Sequence, residues 1–461
     1  MTRTIPGLSD VEQATVDRLD AVIVKKARRN KMRSDLMDGK QAPKRLPATA
    51  SPNARKLGAV LGWPSKAVEH LHRRASLQGF ALPGVDIADT ELGEIIDANR
   101  YVSEARLGEL DALVYGCGFE VVTAGMADEP PALISQVSAR TATGDWNPRS
   151  RRLDSLLSVV NRTSMGDIED ATLYLPGETI LIMGGKAVAK QRHALHVPAE
   201  LVTYRPRSDR RFGQSRISRP VIYLTAAAVR SMIRSEDVAD LTGIPAFVIL
   251  GAEAEVFEKA SWDAIWDRIN GIPDDEDAAN PRAQIQQLTQ GNQTPHTEHL
   301  GTIAAHFAAE TGIPVSSLGV GIQQANPTSG ESYIASREDL ISEAEYATRD
   351  WSLAHVRTLQ NAWRVATGEA VIPDDLRRLR PRYRDARFTS RAAQADASVK
   401  LLGAMPWLGE SEAFIETLGF DEDLTARLIE DRRAARGRQT IAELMGTAAP
   451  SEVDTKGLEE A

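Results

Sequence analysis

Cysteine is almost missing from this sequence. Cys117 stands alone among 461 residues, so no intrachain disulfide can form and Cys-rich zinc and iron–sulfur sites are excluded. A lone thiol also points to a reducing compartment. Aromatic residues are scarce, at 5%, which leaves a core of Ala, Leu, Ile and Val and suits extensive helix packing. There is no excess of positive charge: 55 Lys and Arg against 64 Asp and Glu give a formal net charge of −9. That argues against a protein that coats nucleic acid generally, which would be basic overall. Long apolar runs are lacking too. The best, Val221 to Val229, is broken by Thr225 and falls far short of the roughly 18 residues of a membrane span. The opening Met-Thr-Arg-Thr-Ile-Pro-Gly has no apolar stretch behind it, so no signal peptide is expected. What is present is ordinary for a globular chain, 42% hydrophobic and 26% charged, with a length that predicts roughly three structural units.

Charge is unevenly spread. Residues 1–55 hold 12 basic and 6 acidic side chains, and residues 205–219 hold six Arg against Asp209. Residues 252–280 swing to 9 acidic against 2 basic, with the run Asp274-Asp275-Glu276-Asp277, and residues 377–391 carry seven Arg against Asp385. Any one block reads as a solvated face; four alternating blocks suggest surfaces that meet different partners or neighbouring subunits.

The first 100 or so residues read mostly helical, with a break at Pro43, Pro47 and Pro52. Ser103 to Tyr115 predicts a helix with Leu107, Leu110, Leu113 and Val114 on one side. From Phe119 to about Tyr204, short β-branched and aliphatic runs between turn residues predict an antiparallel meander. Strands that follow helices rather than alternate with them make the class α+β. A helix over 218–240 stops at Gly243-Ile244-Pro245 and a strand follows at 246–250. An acidic insert then runs to about Gly291 with its own apolar set (Phe247, Ile249, Trp262, Ile265, Trp266). A second helix, Thr297 to Thr311, ends at Gly312-Ile313-Pro314. After a Gly-rich loop, the pattern predicts one long helix from Ser329 to about Thr367, about 57 Å if continuous, with the Ser329 hydroxyl as its cap. Beyond Pro373 the chain reads as three or four short helical pieces, and the tail after Ala448 as disordered.

Chemical motifs are weak. Gly184-Gly185-Lys186 lacks the upstream Gly and the Ser/Thr of a phosphate loop, and Gly116-Cys117-Gly118 lacks a third Gly and precedes a strand; both read as structural turns. Cys117 reads as a small buried residue. His193 and His196 stand in a Lys/Arg-rich loop with no carboxylate expected nearby. His296, His299 and His306 fall within about 80° on a helix, with Glu298 between the first two. The alternative reading from these residues is a metal-dependent hydrolase using His296, His299 and Glu298. The spacing His-Thr-Glu-His is one residue short of a zincin motif, and neither a metal nor a cofactor is expected.

The order of elements carries a resemblance. Two helices form a hairpin with a small insert at its tip. Thr311-Gly312-Ile313-Pro314 through Leu318-Gly319 follows, then Gln323-Gln324-Ala325-Asn326-Pro327-Thr328-Ser329-Gly330-Glu331 and the long helix. Ala98-Asn99-Arg100 to Asp111-Ala112-Leu113-Val114-Tyr115-Gly116, Gly213-Gln214-Ser215-Arg216-Ile217 and Ala395-Asp396-Ala397 to Lys400 complete the pattern. Over roughly residues 55–440 this resembles the portal proteins of tailed bacteriophages, above all long-tailed phages of actinobacteria. The resemblance implies a non-enzymatic ring of about twelve subunits at one capsid vertex, assembled in the host cytoplasm and carried in the virion. Residues 1–212 would begin the wing, 213–242 and 295–311 the two stem helices, 243–294 the clip. Residues 312–380 would hold the tunnel loop and the long wing helix, 381–448 the crown, and 449–461 a disordered tail. Implied partners are double-stranded DNA in the channel, the terminase large subunit, a head–tail adaptor and the major capsid protein, with no membrane. Gln323, Gln324, Asn326, Thr328 and Ser329 would line the channel, and Asp274, Asp275, Glu276 and Asp277 would dock partners at the clip. Uncharged hydrogen-bonders suit such a loop, because Lys or Arg on sliding DNA adds a salt-dependent grip for every phosphate neutralised.

Overall fold

The computed structural model describes residues 4–40, 58–85, 87–242, 247–250, 269–272, 284–287, 293–320, 337–387, 391–411, 414–415, 418 and 422–444. The chain divides into two compact units, Met1–Ala386 and Arg387–Ala461.

In the first unit, α1 (Asp10–Met37) opens on a capping box: Ser9 Oγ accepts from the Glu12 amide, and the Ser9 amide donates to the Glu12 carboxylate. α2 (Trp63–His72), β1 (Leu77–Ala81), α3 (Glu91–Ala98) and α4 (Tyr101–Tyr115) follow. Gly116, at φ +105°, ends α4 in the left-handed conformation that glycine adopts without strain. The chain then enters β2 (Cys117–Ala124) and β3 (Ala132–Ser138). Gly118 lets β2 lie against α4, since a Cβ there would sit 2.8 Å from the Gly108 carbonyl oxygen. The two glycines around Cys117 are therefore structural.

The single meander predicted for 119–204 is in fact two sheets. β4 (Ala142–Asn147), β5 (Arg152–Arg162), β6 (Ile168–Leu175), β7 (Glu178–Met183) and β8 (Lys186–Arg192) pair antiparallel in sequence order. β9 (Ala199–Thr203), buried throughout, returns to pair with β2 in a separate sheet of order β3-β2-β9. The split follows from burial. Val16, Leu19 and Ile23 of α1 cover one face of the meander, packing on Leu157, Val159, Leu173, Ile180 and Ile182. Edge strand β8 is mostly exposed and carries Lys186, Lys190 and Arg192, a composition that discourages further edge pairing. Gly184 and Gly185, both at positive φ, make the tight β7–β8 turn, as their turn reading requires.

α5 (Arg219–Thr242) leads to three short strands, β10 (Phe247–Leu250), β11 (Ile269–Ile272) and β12 (Gln284–Gln287). They form a small sheet of order β11-β10-β12. α6 (Thr294–Thr311) returns, and α7 (Glu338–Thr367) crosses the unit. Leu340, Ala344, Ala347, Trp351, Ala354, Thr358 and Ala362 of α7 recur every three or four residues and are buried, so this helix is the spine of the core. β13 (Arg380–Tyr383) pairs antiparallel with β1. The second unit holds α8 (Arg391–Ala404), a short turn at Pro406–Glu410 and α9 (Glu422–Leu444).

Three expectations are corrected. α7 has 30 residues and starts at Glu338 after Arg337, with no side-chain cap; Ser329, expected as its cap, lies outside the described residues. On α4 the buried face is Ala105, Gly108, Glu109, Ala112 and Leu113, while Leu107 is exposed; a carboxylate inside the core displaced the simple leucine stripe. Arg380–Tyr383 is a strand rather than a helical piece, because Arg380, Pro381 and Arg382 find backbone partners on β1.

Candidate functional site

Sequence segments far apart meet at the base of the α5–α6 hairpin. The two helices run antiparallel: Ser218 Oγ donates to Glu310 at 3.3 Å near one end, and Ser231 Oγ to the His296 carbonyl at 3.4 Å near the other. At the base, the Arg216 amide donates to the Leu113 carbonyl at 2.8 Å, Ser215 Oγ to the Val114 carbonyl at 2.5 Å, and the Tyr204 amide to the Gly116 carbonyl at 3.1 Å. Gly116 and Gly213 touch, since a Cβ on Gly213 would lie 2.3 Å from the Gly116 carbonyl oxygen. On the other helix, Gly312 at φ +65° caps α6. Ile313 and Leu318 then bury their side chains around a short turn at Val315–Leu318. Trp63 of α2 stacks at a tilt on Phe307, with centroids 4.9 Å apart, and donates Nε1–H to the Leu318 carbonyl at 3.3 Å. Asp111–Gly116, Gly213–Ile217 and Thr311–Gly319 thus form one junction.

Arg216 is its cation. Its side chain is 4% exposed and donates to the carbonyls of Ala67 and Thr311, to Tyr204 Oη at 3.0 Å, and to the Glu343 carboxylate on α7. Burial works against its charge, yet Tyr204 and Glu343 hold its pKa above the ordinary value. The basic block 205–219 is therefore not one solvated face, because its central arginine ties α2, Tyr204 just after β9, α6 and α7 together.

A second buried polar cluster has no counterpart in the sequence reading. His355 on α7 is fully enclosed, with Nδ1 3.0 Å from Glu120 Oε1 and Nε2 3.3 Å from Glu109 Oε1. His72 Nε2 lies 2.8 Å from the other Glu109 oxygen. Tyr101 and Thr358 donate to Glu120 at 2.8 and 2.6 Å, and Gln136 at 3.1 Å. A carboxylate at each ring nitrogen of His355 is satisfied by an imidazolium, which donates from both. Burial alone would lower the His355 pKa, but Glu120 and Glu109 raise it to about 10. Burial would likewise raise Glu109 and Glu120, and the histidine contacts hold both below the ordinary carboxylate value. Nearby Glu200, 3.7 Å from Arg357, is pushed up to about 7, mainly by burial. Acids and bases at such distances resemble catalytic machinery, but His355, Glu109 and Glu120 are at most 1% exposed. No substrate reaches them, and they act as an internal clamp between α4, β2 and α7.

Of the three histidines singled out on α6, two share one groove and His296 does not line it. His299 and His306 lie on an open groove of about 850 Å³ beside the hairpin, together with Arg230 and Arg234. Two guanidinium groups there oppose a metal cation. No group of three or more His, Cys, Asp or Glu suited to a metal occurs among the described residues. His196 does have a carboxylate neighbour, Asp154 on β5 at 3.7 Å, contrary to the sequence reading. Cys117 is buried, and burial pushes its thiol pKa up to about 12, so it is inert. Asp274, Asp275, Glu276 and Asp277, and Gln323, Gln324, Asn326, Thr328 and Ser329, lie outside the described residues, as do Trp262, Ile265, Trp266 and the tail after 448. No helix among the described residues is long and apolar enough to cross a membrane.

Comparison with known proteins gives a consistent result. The family described as "Phage portal protein, SPP1 Gp6-like" matches residues 18–407. The portal protein of Mycobacterium phage L5 is 28% identical over 423 residues, spanning 87% of this chain and 85% of the relative. That of Mycobacterium phage D29 is 28% identical over 422 residues with the same coverage. Among solved structures, a chain of the virion of a native gene transfer agent particle is similar at 13% identity and a TM-score of 0.39. A chain of the neck of an empty particle of that kind is similar at 13% and 0.40. Each match covers 84% of this chain, and 98% and 95% of the respective chain.

Proposed function

Because this chain belongs to the phage portal protein family of SPP1 Gp6-like type, we propose that it assembles into a ring of about twelve subunits. The ring forms the channel for DNA packaging and ejection at one capsid vertex. The family is structural, and the chain is a portal protein rather than an enzyme. The observation that supports the ring most directly is the α5–α6 hairpin. It is a two-helix arm fastened at its base by Arg216 and packed on one side, through Val229 and Ile233, against Ala59 and Leu61, and on another side an open groove with the exposed Tyr223 on its rim runs along it. An arm that leaves a groove lined by Leu224, Ala227, Ile303 and Ala309 open gains stability from a neighbour that fills it.

In this reading residues 1–212 and the long helix α7 make the wing, 213–242 and 295–311 the stem, and 243–294 the clip. The crown lies within 381–448, of which the strand β13 stays tied to β1. The clip, through Asp274 to Asp277, docks the terminase large subunit during packaging and the head–tail adaptor afterwards. The wing meets the major capsid protein. Subunits assemble in the host cytoplasm and remain in the virion. Negative-stain imaging and light scattering of the purified full-length chain test the reading. A ring with a central hole, several hundred kilodaltons in mass, is expected; a monomer that persists at micromolar concentration and across salt overturns it.

Residues 323–329 form the tunnel loop in the same scheme. With Gln323→Lys and Gln324→Lys together, the ring is expected to form normally while DNA translocation slows, more so at low salt where phosphate contacts are screened least. Packaging equal to wild type across a salt series, with the ring intact, removes this loop from the channel.

A further inference from the structure

One cavity is not used by any of this. It measures about 180 Å³ and lies between α1 and the chain entering the stem, walled by Phe212 and the segment 213–215. Four cations line it, Lys26, Arg29 and Arg33 from α1 and Arg210 from the loop after β9, and no carboxylate does. The three on α1 are spaced i, i+3 and i+7, which places them on one helix face. None of the four is in an ion pair with a carboxylate among the described residues. Arg33 donates once, through Nη1 to the Tyr115 carbonyl at 3.3 Å, and its buried Nε–H has no partner. Lys26 meets only the face of Phe212, 5.4 Å from the ring centroid. Buried Asn30, whose amide donates to the Ala139 carbonyl at 2.9 Å, likewise has an unpaired side-chain oxygen.

This arrangement is costly when empty. Like charges crowd one another, and burial with the neighbouring Arg29 and Arg210 lowers the Arg33 pKa to about 10. Lys26 is lowered as well, by burial first and Arg29 next. Two partly desolvated cations, Lys26 and Arg33, with the exposed Arg29 and Arg210 beside them, leave unneutralised charge that an anion would relieve. Arg forks match the oxygen geometry of phosphate.

We propose that this cavity binds a phosphate-class oxyanion, held by Lys26, Arg29, Arg33 and Arg210. Since segment 213–215 is the wall opposite α1 and leads straight into Arg216, the bound anion fastens α1 to the base of the stem. The oxyanion has two sources of the same chemistry, free phosphate or a backbone phosphate of DNA. Four basic groups confined to one pocket are compatible with a net-acidic chain that must not grip DNA along its channel.

The test uses the intact chain and inorganic phosphate, titrated at constant ionic strength against chloride. A saturable rise in Tm is expected, roughly 2 °C at tenfold excess over the midpoint. Arg29 and Arg210 are exposed, so Arg29→Gln with Arg210→Gln keeps the fold, as circular dichroism verifies. It is expected to weaken phosphate binding by about tenfold or more. Arg28→Gln with Arg211→Gln removes the same charge outside the cavity and keeps the wild-type response. Anisotropy of a labelled duplex oligonucleotide separates the sources. Binding that is competed by phosphate and lost in the Arg29/Arg210 variant identifies the DNA backbone, and DNA binding indifferent to that variant identifies free phosphate. No saturable shift beyond chloride, or an equal response in both double variants, overturns the proposal. None of these readouts depends on ring formation, so its failure leaves the portal assignment untouched.

Discussion

Replacing Arg216 by methionine is expected to destabilise the chain by about 3–5 kcal/mol, the range for removing one partner of a buried ion pair. The loss has two parts. Glu343, with its side chain 12% exposed, loses a buried guanidinium, and the carbonyls of Ala67 and Thr311 lose their donors with no water able to replace them. Arg205 also reaches Glu343, at 2.6 Å, but its side chain is 58% exposed, and such a pair contributes about 0–1 kcal/mol. It cannot take over. Lysine at 216 is expected to rescue only in part, since one ammonium cannot serve two carbonyls, a hydroxyl and a carboxylate at once. Pairing Arg216→Met with Glu343→Leu should cost less than Arg216→Met alone, because no charge is left unpaired. Urea midpoints of the four proteins close the cycle; additive losses in the double variant would mean that the pair is not coupled. A marginal chain tolerates little of this, so Arg216→Met should also fail to form rings at 37 °C.

That junction shows how far the sequence could be read and where it could not. The segments Asp111–Gly116, Gly213–Ile217 and Thr311–Gly319 stood out individually because Gly and Pro punctuate them. Their convergence did not, for contact between residues about 100 positions apart leaves no local trace. The helices were legible wherever an apolar stripe of period 3.6 existed, as on α5, α6 and α7. Strands were legible where β-branched residues concentrated, as in β2, β5, β6 and β7. β4, β8 and β13 were not, because Ala-Thr-Gly-Asp-Trp-Asn, Lys-Ala-Val-Ala-Lys-Gln-Arg and Arg-Pro-Arg-Tyr pair through backbone with little apolar pattern. Counting acidic and basic blocks also misjudged Arg216, since a charge census cannot tell a core cation from a surface one. The buried cluster did leave a signal. Glu109 lies among Leu107, Leu110 and Leu113, Glu120 between Phe119 and Val121, and His355 on the stripe with Trp351 and Leu359. A charge at an apolar position of a periodic pattern marks a partner elsewhere in the core, though not which one.

His355→Gln is expected to change how stability depends on pH, beyond merely lowering it. The folded His355 titrates near 10, whereas the free side chain titrates at 6.5. Between these values the folded state holds a proton that the unfolded chain releases. The contribution of His355 is therefore complete below about pH 6.5 and falls as pH rises toward 10, by up to about 1.4 kcal/mol per pH unit. Glu109 and Glu120 work in the opposite sense: their lowered values stabilise the fold above the ordinary carboxylate range, and this is lost as pH falls through it. Glu200, raised to about 7, adds its own decline, but only between 4.5 and 7. The window from pH 7 to 9 thus isolates the histidine among these groups. Glutamine retains a donor for one carboxylate and carries no charge, so it leaves Glu109 or Glu120 buried and unneutralised, a loss of about 3–5 kcal/mol at pH 7. Its pH slope between 7 and 9 should be shallower than that of wild type, because only a carboxyl that burial keeps protonated can still titrate there. Urea midpoints at pH 7, 8 and 9 for both proteins decide the matter. Parallel slopes in the two would show that His355 is neutral in the fold and that another donor holds the two carboxylates apart.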